Sequence, residues 1–448
     1  MKYAYPEQLA SSVLKRWHGV GGAAKHGRKR ADEPEAPPDA LPDADELEEL
    51  LCVCYQASLM REEERPITFR AILTGPRSFP PGQGPPSGLL RLRLDAPRPF
   101  DAHELRRLSP GAEFHRSLIA VDKAGEDGAN LRIWGSVHSG TRWIRRTQGG
   151  REVAPPLPPA PVVHVTGPGR LSVYRGDAYV AGLEEGRLRE ASTDVFASGW
   201  MPRSFAPFRA ELDELHRQAR EQAMTEQGSV WAPLDADLSR HVGQHAFRRI
   251  ISVIRDSRHG GTILFVPPEL TEEFSGENGF VGLKYRFAGE EPRRRYRTLI
   301  LAVMNRLAET HGKGGEPYYS ASVGWEEYRR TADPGIAALD EAIFEVAHLI
   351  AALASVDGAV VMSKRLEIVG YGGEISGALE PVGRIRRALD LEGERYVEES
   401  TENVGTRHRS AYRLAAALPG VVAVVVSQDG GIRFVTKKSG ALTYWDHA

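Results

Sequence analysis

The chain of 448 residues contains two cysteines, Cys52 and Cys54. Two thiols are too few for a disulfide framework or an all-cysteine zinc site, so the expectation is a pair of small buried hydrophobes in a reducing compartment. Long apolar runs are missing too: no stretch approaches the ~18 consecutive apolar residues of a membrane helix, and residues 1–6 hold no apolar signal core. A soluble, cytoplasmic protein without a membrane partner is expected. Excess charge of one sign is also absent. Lys and Arg number 58 against 60 Asp and Glu, a net −2, so no global field suits a nucleic-acid coat or an anionic membrane. A Walker loop, a dinucleotide glycine fingerprint and a serine nucleophile elbow are missing as well.

What is present is an ordinary globular composition, 41% hydrophobic and 26% charged, which excludes global disorder and gives room for two or three domains. Residues 21–46, with Arg28-Lys29-Arg30 and Pro37-Pro38, read as a flexible insertion behind a short helix carrying Leu9, Val13 and Leu14. From Leu47 to about Tyr174, short strands alternate with turn chemistry, Leu131–His138 among them. Trp134, Trp143 and Tyr174 serve either as core packing or as the walls of a ligand pocket. Phe208, Leu212, Leu215, Ala219 and Ala223 mark a helix, and Gly228 sets the expected boundary between a regulatory region, 1–227, and a second domain, 228–448.

In the second domain a helix with Leu238, Val242, Ala246, Ile250 and Val253 leads through Gly260-Gly261 into a β-rich run ending at Val266. Residues 271–335 read as an elaboration with one helix, carrying Leu299, Val303 and Leu307. A strong helix from Ile336 to Leu353 ends at Asp357-Gly358-Ala359, followed by strands around 360–362 and 366–369 and a glycine-rich turn with Gly370, Gly372 and Gly373. A last helix (Ala411, Leu414, Ala415, Leu418) precedes the run 421–426 and its hairpin partner 432–435. The fold class expected is α/β, a mixed sheet flanked by helices, behind a smaller β-rich mixed domain.

Some constellations look chemical without being so. His241 and His245 stand four apart on a helix, the spacing of two zinc ligands, but Val242-Gly243-Gln244 supplies no general-base glutamate. Arg293-Arg294-Arg295, beside Glu290 and Glu291, reads as a solvated face. Two segments carry more. Asp357 stands at a helix-to-strand junction, followed by Gly358 and Ala359, which are small enough for a nucleotide to approach the backbone. Its carboxylate can hold a divalent cation or orient a hydroxyl. The second segment, Gly405-Thr406-Arg407-His408-Arg409-Ser410-Ala411, opens a helix. Amides at a helix start favour anions, arginines are bidentate phosphate donors, and Thr406 and Ser410 add hydroxyls.

Together these segments resemble the diadenylate cyclase (DisA-type) family, whose hallmarks are a DGA turn and a GTRHR(A/S)A helix start. Ser427, closing a valine-rich strand, stands where the family has its third motif, and 260–266 is similar to its opening strand. The resemblance runs from about residue 230 onward. It implies condensation of two ATP molecules into cyclic di-AMP with release of pyrophosphate, each 3′-hydroxyl attacking the α-phosphate of the opposite nucleotide. It also implies a homodimer or higher oligomer with apposed sites. In that scheme Asp357 acts with Mg²⁺ or Mn²⁺ on the 3′-hydroxyl, and Gly358 and Ala359 leave room for the sugar. Thr406, Arg407, His408 and Arg409 hold the triphosphate, while Gly405, Ser410, Ser427 and Gln428 complete the substrate contacts. One departure stands out: Gln428, a neutral ligand at best, stands where the family has an acid that helps hold the metal, with Asp429 as its substitute if the turn is shifted. Two alternatives follow, a catalytically weakened nucleotide-binding sensor and an interaction protein whose Arg-His-Arg helix start forms salt bridges. The first half is reminiscent of the DACNV-type sensor regions that precede such cyclases, through Arg106-Arg107-Leu108-Ser109, 131–140 and Gly167-Pro168-Gly169-Arg170-Leu171.

Overall fold

A computed structural model describes residues 3–19, 42–84, 88–123, 130–140, 157–184, 186–189, 194–271, 279–312, 322–428 and 430–447. They divide into two compact units, 3–189 and 194–447. Among the described residues no helix is long and apolar enough to cross a membrane.

The first unit contains helices α1 (Pro6–Arg16), α2 (Ala44–Ser58) and α3 (Ala102–Leu108) and eight principal strands. These are β1 (Phe69–Leu73), β2 (Leu90–Pro99), β3 (Ser117–Lys123), β4 (Leu131–His138), β5 (Pro161–Gly167), β6 (Arg170–Arg175), β7 (Ala178–Glu184) and β8 (Arg187–Arg189). They form one sheet in the order β8-β7-β6-β5-β1-β3-β4-β2. Leu47, expected in a strand-rich stretch, lies instead in α2. The Asp43 carboxylate caps that helix by accepting from the amides of Asp45 at 3.0 Å and Glu46 at 3.2 Å. The helix therefore starts inside the segment expected to be flexible; 21–41 of that segment lies outside the described residues. Leu47, Leu50, Leu51, Cys54 and Ala57 are all buried at helical spacing. Burial pushes the Cys54 thiol up, as suits a packing residue.

The sheet separates two core clusters: Phe69, Ala71 and Val163 pack with the helices, while Ile72, Trp134 and Val162 pack with Phe79 and Leu118. The Trp134 indole donates to the Thr74 carbonyl at 2.8 Å, and Tyr174 stacks on His164 with ring centroids 4.1 Å apart. Both aromatics are thus packed, and Trp143 lies outside the described residues.

The second unit contains helices α4 (Ala206–Gln227), α5 (Leu238–Asp256), α6 (Glu291–His311), α7 (Trp325–Arg330), α8 (Pro334–Ala354) and α9 (Thr406–Ala417). Its strands are β9 (Gly261–Val266), β10 (Val281–Arg286), β11 (Ala359–Ser363), β12 (Ile368–Ile375), β13 (Arg384–Ala388), β14 (Tyr396–Ser400), β15 (Val422–Val426), β16 (Ile432–Lys438) and β17 (Ala441–His447). They form one mixed sheet, β10-β12-β11-β9-β15-β16-β17-β13-β14. Strand β9 is buried along its whole length, because side chains of both parities are covered. Ile263 and Phe265 share a cluster with Leu238, Ile300 and Ile350, whereas Leu264 and Val266 share one with Ala411, Leu414 and Ala415. Continuous apolar sequence is what a strand covered on both faces requires. The second unit is a mixed α/β sheet with helices on both faces; the first is β-rich.

Two expected boundaries shift. Gly228 ends α4 in the left-handed region (φ +65), but Phe208 and Leu212 of α4 pack in the second unit's core. The units divide near residue 193 because a C-cap glycine stops a helix without ending a domain. Gly370, Gly372 and Gly373 lie inside β12 rather than in a turn. Close packing demands them: a Cβ on Gly373 would sit 3.0 Å from Val281 Cγ1, and one on Gly370 would strike the Tyr285 carbonyl. The strand responsible, β10, comes from the elaboration.

Candidate functional site

Sheet register decides which loops meet. Parallel β9 and β11 pair Thr262 with Ala359, and antiparallel β9 and β15 pair Gly261 with Val426. The turn before β11 (Asp357-Gly358), the turn before β9 (His259-Gly260) and the exit of β15 (Ser427-Gln428) therefore share one end of the sheet, on neighbouring strands about 4.8 Å apart.

The start of α9 reaches the same end. The Arg407 guanidinium donates to the His259 carbonyl at 3.1 Å. Gly260, at φ +65, is so enclosed that a Cβ would lie 2.7 Å from the Val426 carbonyl, 3.0 Å from Arg407 Nη1 and 3.1 Å from the Gln428 amide. A left-handed non-glycine residue costs roughly 1–2 kcal/mol before any clash is counted. Gly260→Ala should therefore lower the melting temperature and, by displacing Arg407, shrink any ATP-induced thermal shift; a variant matching the parent in both would remove Arg407 from the site.

On the other side, Asp357 and Gly358 are exposed. Gly358 adopts φ +111, and a Cβ there would meet the Gly372 carbonyl carbon at 2.6 Å. The Lys284 ammonium pairs with Glu374 at 2.7 Å. Its pKa is raised chiefly by that hydrogen bond and charge, with Asp357 adding to the effect. Lys284 and Glu374 thus stand near the Asp357 turn, and nothing local in the sequence signals it, since only the β10–β12 pairing (Gly282 opposite Glu374) brings them there.

Helix α9 begins at Gly405 in extended conformation, with no side-chain cap and no acidic residue in its first turn. Its first turn is left to attract an anion. Thr406, Arg407 and Arg409 are exposed and His408 and Ser410 half-buried; the His408 ring stands edge-on to Tyr412 at 6.2 Å. Ser427 turns the chain after β15, its amide and hydroxyl donating to the Gly431 carbonyl at 2.8 and 3.0 Å. Gln428 is exposed, and Asp429 lies outside the described residues. Ala359, expected with Gly358 to leave room for the sugar, is instead buried in the core with Ala411 of α9, unlike the exposed Asp357 and Gly358.

Among the described residues no three His, Cys, Asp or Glu side chains converge as a metal cage. A lone exposed carboxylate such as Asp357 suits Mg²⁺, which keeps several waters and takes phosphate oxygens as ligands. The spaced histidines of α5 are otherwise employed: His245 is buried against Trp325 and Tyr328, and burial lowers its pKa. The arginine run pairs along and across its helix, Arg295 with Glu291 at 3.6 Å and Arg294 with Glu367 at 4.0 Å.

No curated protein matches the chain. A family model described as "Probable sensor domain DACNV" matches residues 36–138. The match takes in Arg106-Arg107-Leu108-Ser109 and β4 and ends before Gly167. Over residues 36–138, then, the chain is similar to a sensor domain, DACNV.

Proposed function

We propose that the second unit is a diadenylate cyclase module, binding ATP at the β9–β11–β15 end and condensing two ATP molecules into cyclic di-AMP when two copies face each other. The observation that carries this reading is the Arg407–His259 hydrogen bond beside Gly260, which puts the basic helix start one strand away from the Asp357 turn. The sensor-domain match at 36–138 supports it, because the first half resembles regions that precede such cyclases.

The start of α9 and the Arg407 and Arg409 guanidinium groups offset charge on the triphosphate as the α-phosphate is attacked. Gly358, without a side chain, leaves the Asp357 turn open to the ribose. Asp357 orients the 3′-hydroxyl, whose proton passes to water as the 3′-oxygen bonds to the opposite α-phosphorus and the bond from that phosphorus to the departing pyrophosphate breaks. Mg²⁺ or Mn²⁺, held by Asp357 and phosphate oxygens, would lower the pKa of that hydroxyl.

Gln428 favours a second reading, a nucleotide sensor without turnover, since a neutral amide is a poor metal ligand. Incubating the full chain with ATP and Mn²⁺ or Mg²⁺, followed by mass spectrometry, separates the two. Cyclic di-AMP is expected. An ATP-induced thermal shift without product would select the sensor, and absence of both would overturn the ATP site itself.

A further inference from the structure

We propose that Arg433 is a positioning residue for the start of α9, acting through Tyr412. Tyr412 follows His408 by one helical turn and lies on the same face, with its ring edge-on to the imidazole at 6.2 Å. Tyr412 is fully buried, and its hydroxyl accepts from Arg433 Nη1 at 3.2 Å. Arg433 is itself held from two further sides. Its Nε donates to Asp446 at 3.1 Å across the β16–β17 ladder, where the two residues are register partners. Its guanidinium lies 4.6 Å from the centre of the Tyr444 ring. The Tyr444 hydroxyl in turn donates to Glu399 on β14 at 2.6 Å, and Glu399 pairs with Arg387 on β13 at 2.9 Å. A polar chain therefore runs from the edge strands to the helix face that carries His408.

Packing alone does not call for this arrangement. A half-buried guanidinium beside a buried phenol costs desolvation that a Phe–Leu contact would avoid. What it adds is direction: an apolar contact lets a helix slide or turn, whereas a hydrogen bond from a guanidinium fork fixes where the Tyr412 hydroxyl points and with it the rotation of α9. A displacement of about 1 Å at reacting groups costs on the order of 10²-fold in rate.

The kinetic consequence rests on the proposed ATP site; the geometry does not, and the test separates them. Imidazole resonances of His408 are recorded by NMR in the full chain without nucleotide, assigned by His408→Gln. Because the His408 imidazole stands in ring contact with Tyr412, Arg433→Met and Tyr412→Phe should move these resonances in the same direction, and Arg433→Lys, which keeps the charge but not the fork, should restore them only in part. Unmoved resonances in both variants would overturn the proposal whether or not the chain makes cyclic di-AMP. If Arg433→Met does not fold, Tyr412→Phe, which removes a single hydroxyl, decides. Where turnover is present, Arg433→Met should lower kcat about 10- to 100-fold with a smaller change in KM for ATP; an equal loss of melting temperature and binding with unchanged kcat would show a packing role and overturn positioning.

Discussion

Asp357→Asn should abolish cyclic di-AMP formation and leave ATP binding close to that of the parent. The substitution is isosteric and the side chain is exposed. Among the described residues Asp357 has no ion pair, only the longer-range attraction of Lys284, so the cost to folding should stay within about 0.5 kcal/mol. The cost to chemistry is different in scale. An amide neither holds Mg²⁺ through a charged oxygen nor orients a hydroxyl for attack, and metal-assisted activation supplies several kcal/mol. At about 1.4 kcal/mol per tenfold, that loss is on the order of a thousandfold. Mass spectrometry of product and an ATP thermal-shift series check both halves. Turnover at the parent rate would take Asp357 out of the mechanism; loss of ATP binding with loss of fold would show the turn to be structural.

The largest effect on stability should come from a residue outside the candidate site. Asp340 on α8 accepts from Arg249 Nη2 on α5 at 2.9 Å and from the Tyr328 hydroxyl on α7 at 2.7 Å, while its backbone carbonyl takes Arg249 Nη1 at 2.7 Å. Burial pushes the Asp340 carboxyl up, but His245, Arg249 and Tyr328 outweigh it and hold the group below the usual carboxylate range. Of these, His245 is the most distant at 3.8 Å and burial disfavours its charged form, so Arg249 and Tyr328 are the principal partners. Only 2% of the Arg249 side chain is exposed. Asp340→Ala strands that buried charge without its carboxylate, at a cost of about 3–5 kcal/mol. Denaturant unfolding of the full chain measures it; a loss under about 1 kcal/mol would show that apolar packing, not this hub, joins the three helices. The consequence for the site is direct, since α5 runs into Gly260 and α8 into Asp357.

The pH dependence has a definite sign. A carboxylate with a lowered folded pKa contributes stability above about pH 4 and loses it as pH falls. A buried neutral histidine acts in the same sense, because below about pH 6.5 the unfolded chain binds the extra proton. Stability of the parent should therefore decline on acidification from near pH 6.5. In Asp340→Asn the part below about pH 4 should flatten; an unchanged acid limb would remove Asp340 from the linkage.

How much of this was legible depended on range along the chain. Helix α8 announced itself through Ile336, Ile343 and Ile350, β4 through its bounds, and the basic helix start through seven consecutive residues, because each is decided by neighbours within one or two turns. Leu47 misled because α2 is apolar enough to pass for a strand unless the Asp43 cap is recognised. Gly370 and Gly373 misled because glycine marks both turns and strands that other chains approach closely. Lys284 and Glu374 gave no signal, being ninety residues apart and joined only by a β-ladder.

Read alone, the sequence specified the α/β class, the apolar faces that had to be buried, and the two short segments proposed to handle phosphate and metal. Only the fold brought those segments to one end of one sheet, since reversing the direction of β11 against β9, or separating the two strands, would have carried them apart. It alone set the Arg407–His259 contact, the Arg433–Tyr412 tether and the Asp340 hub. These are pairings between distant residues, fixed by strand register and helix packing rather than by local preference.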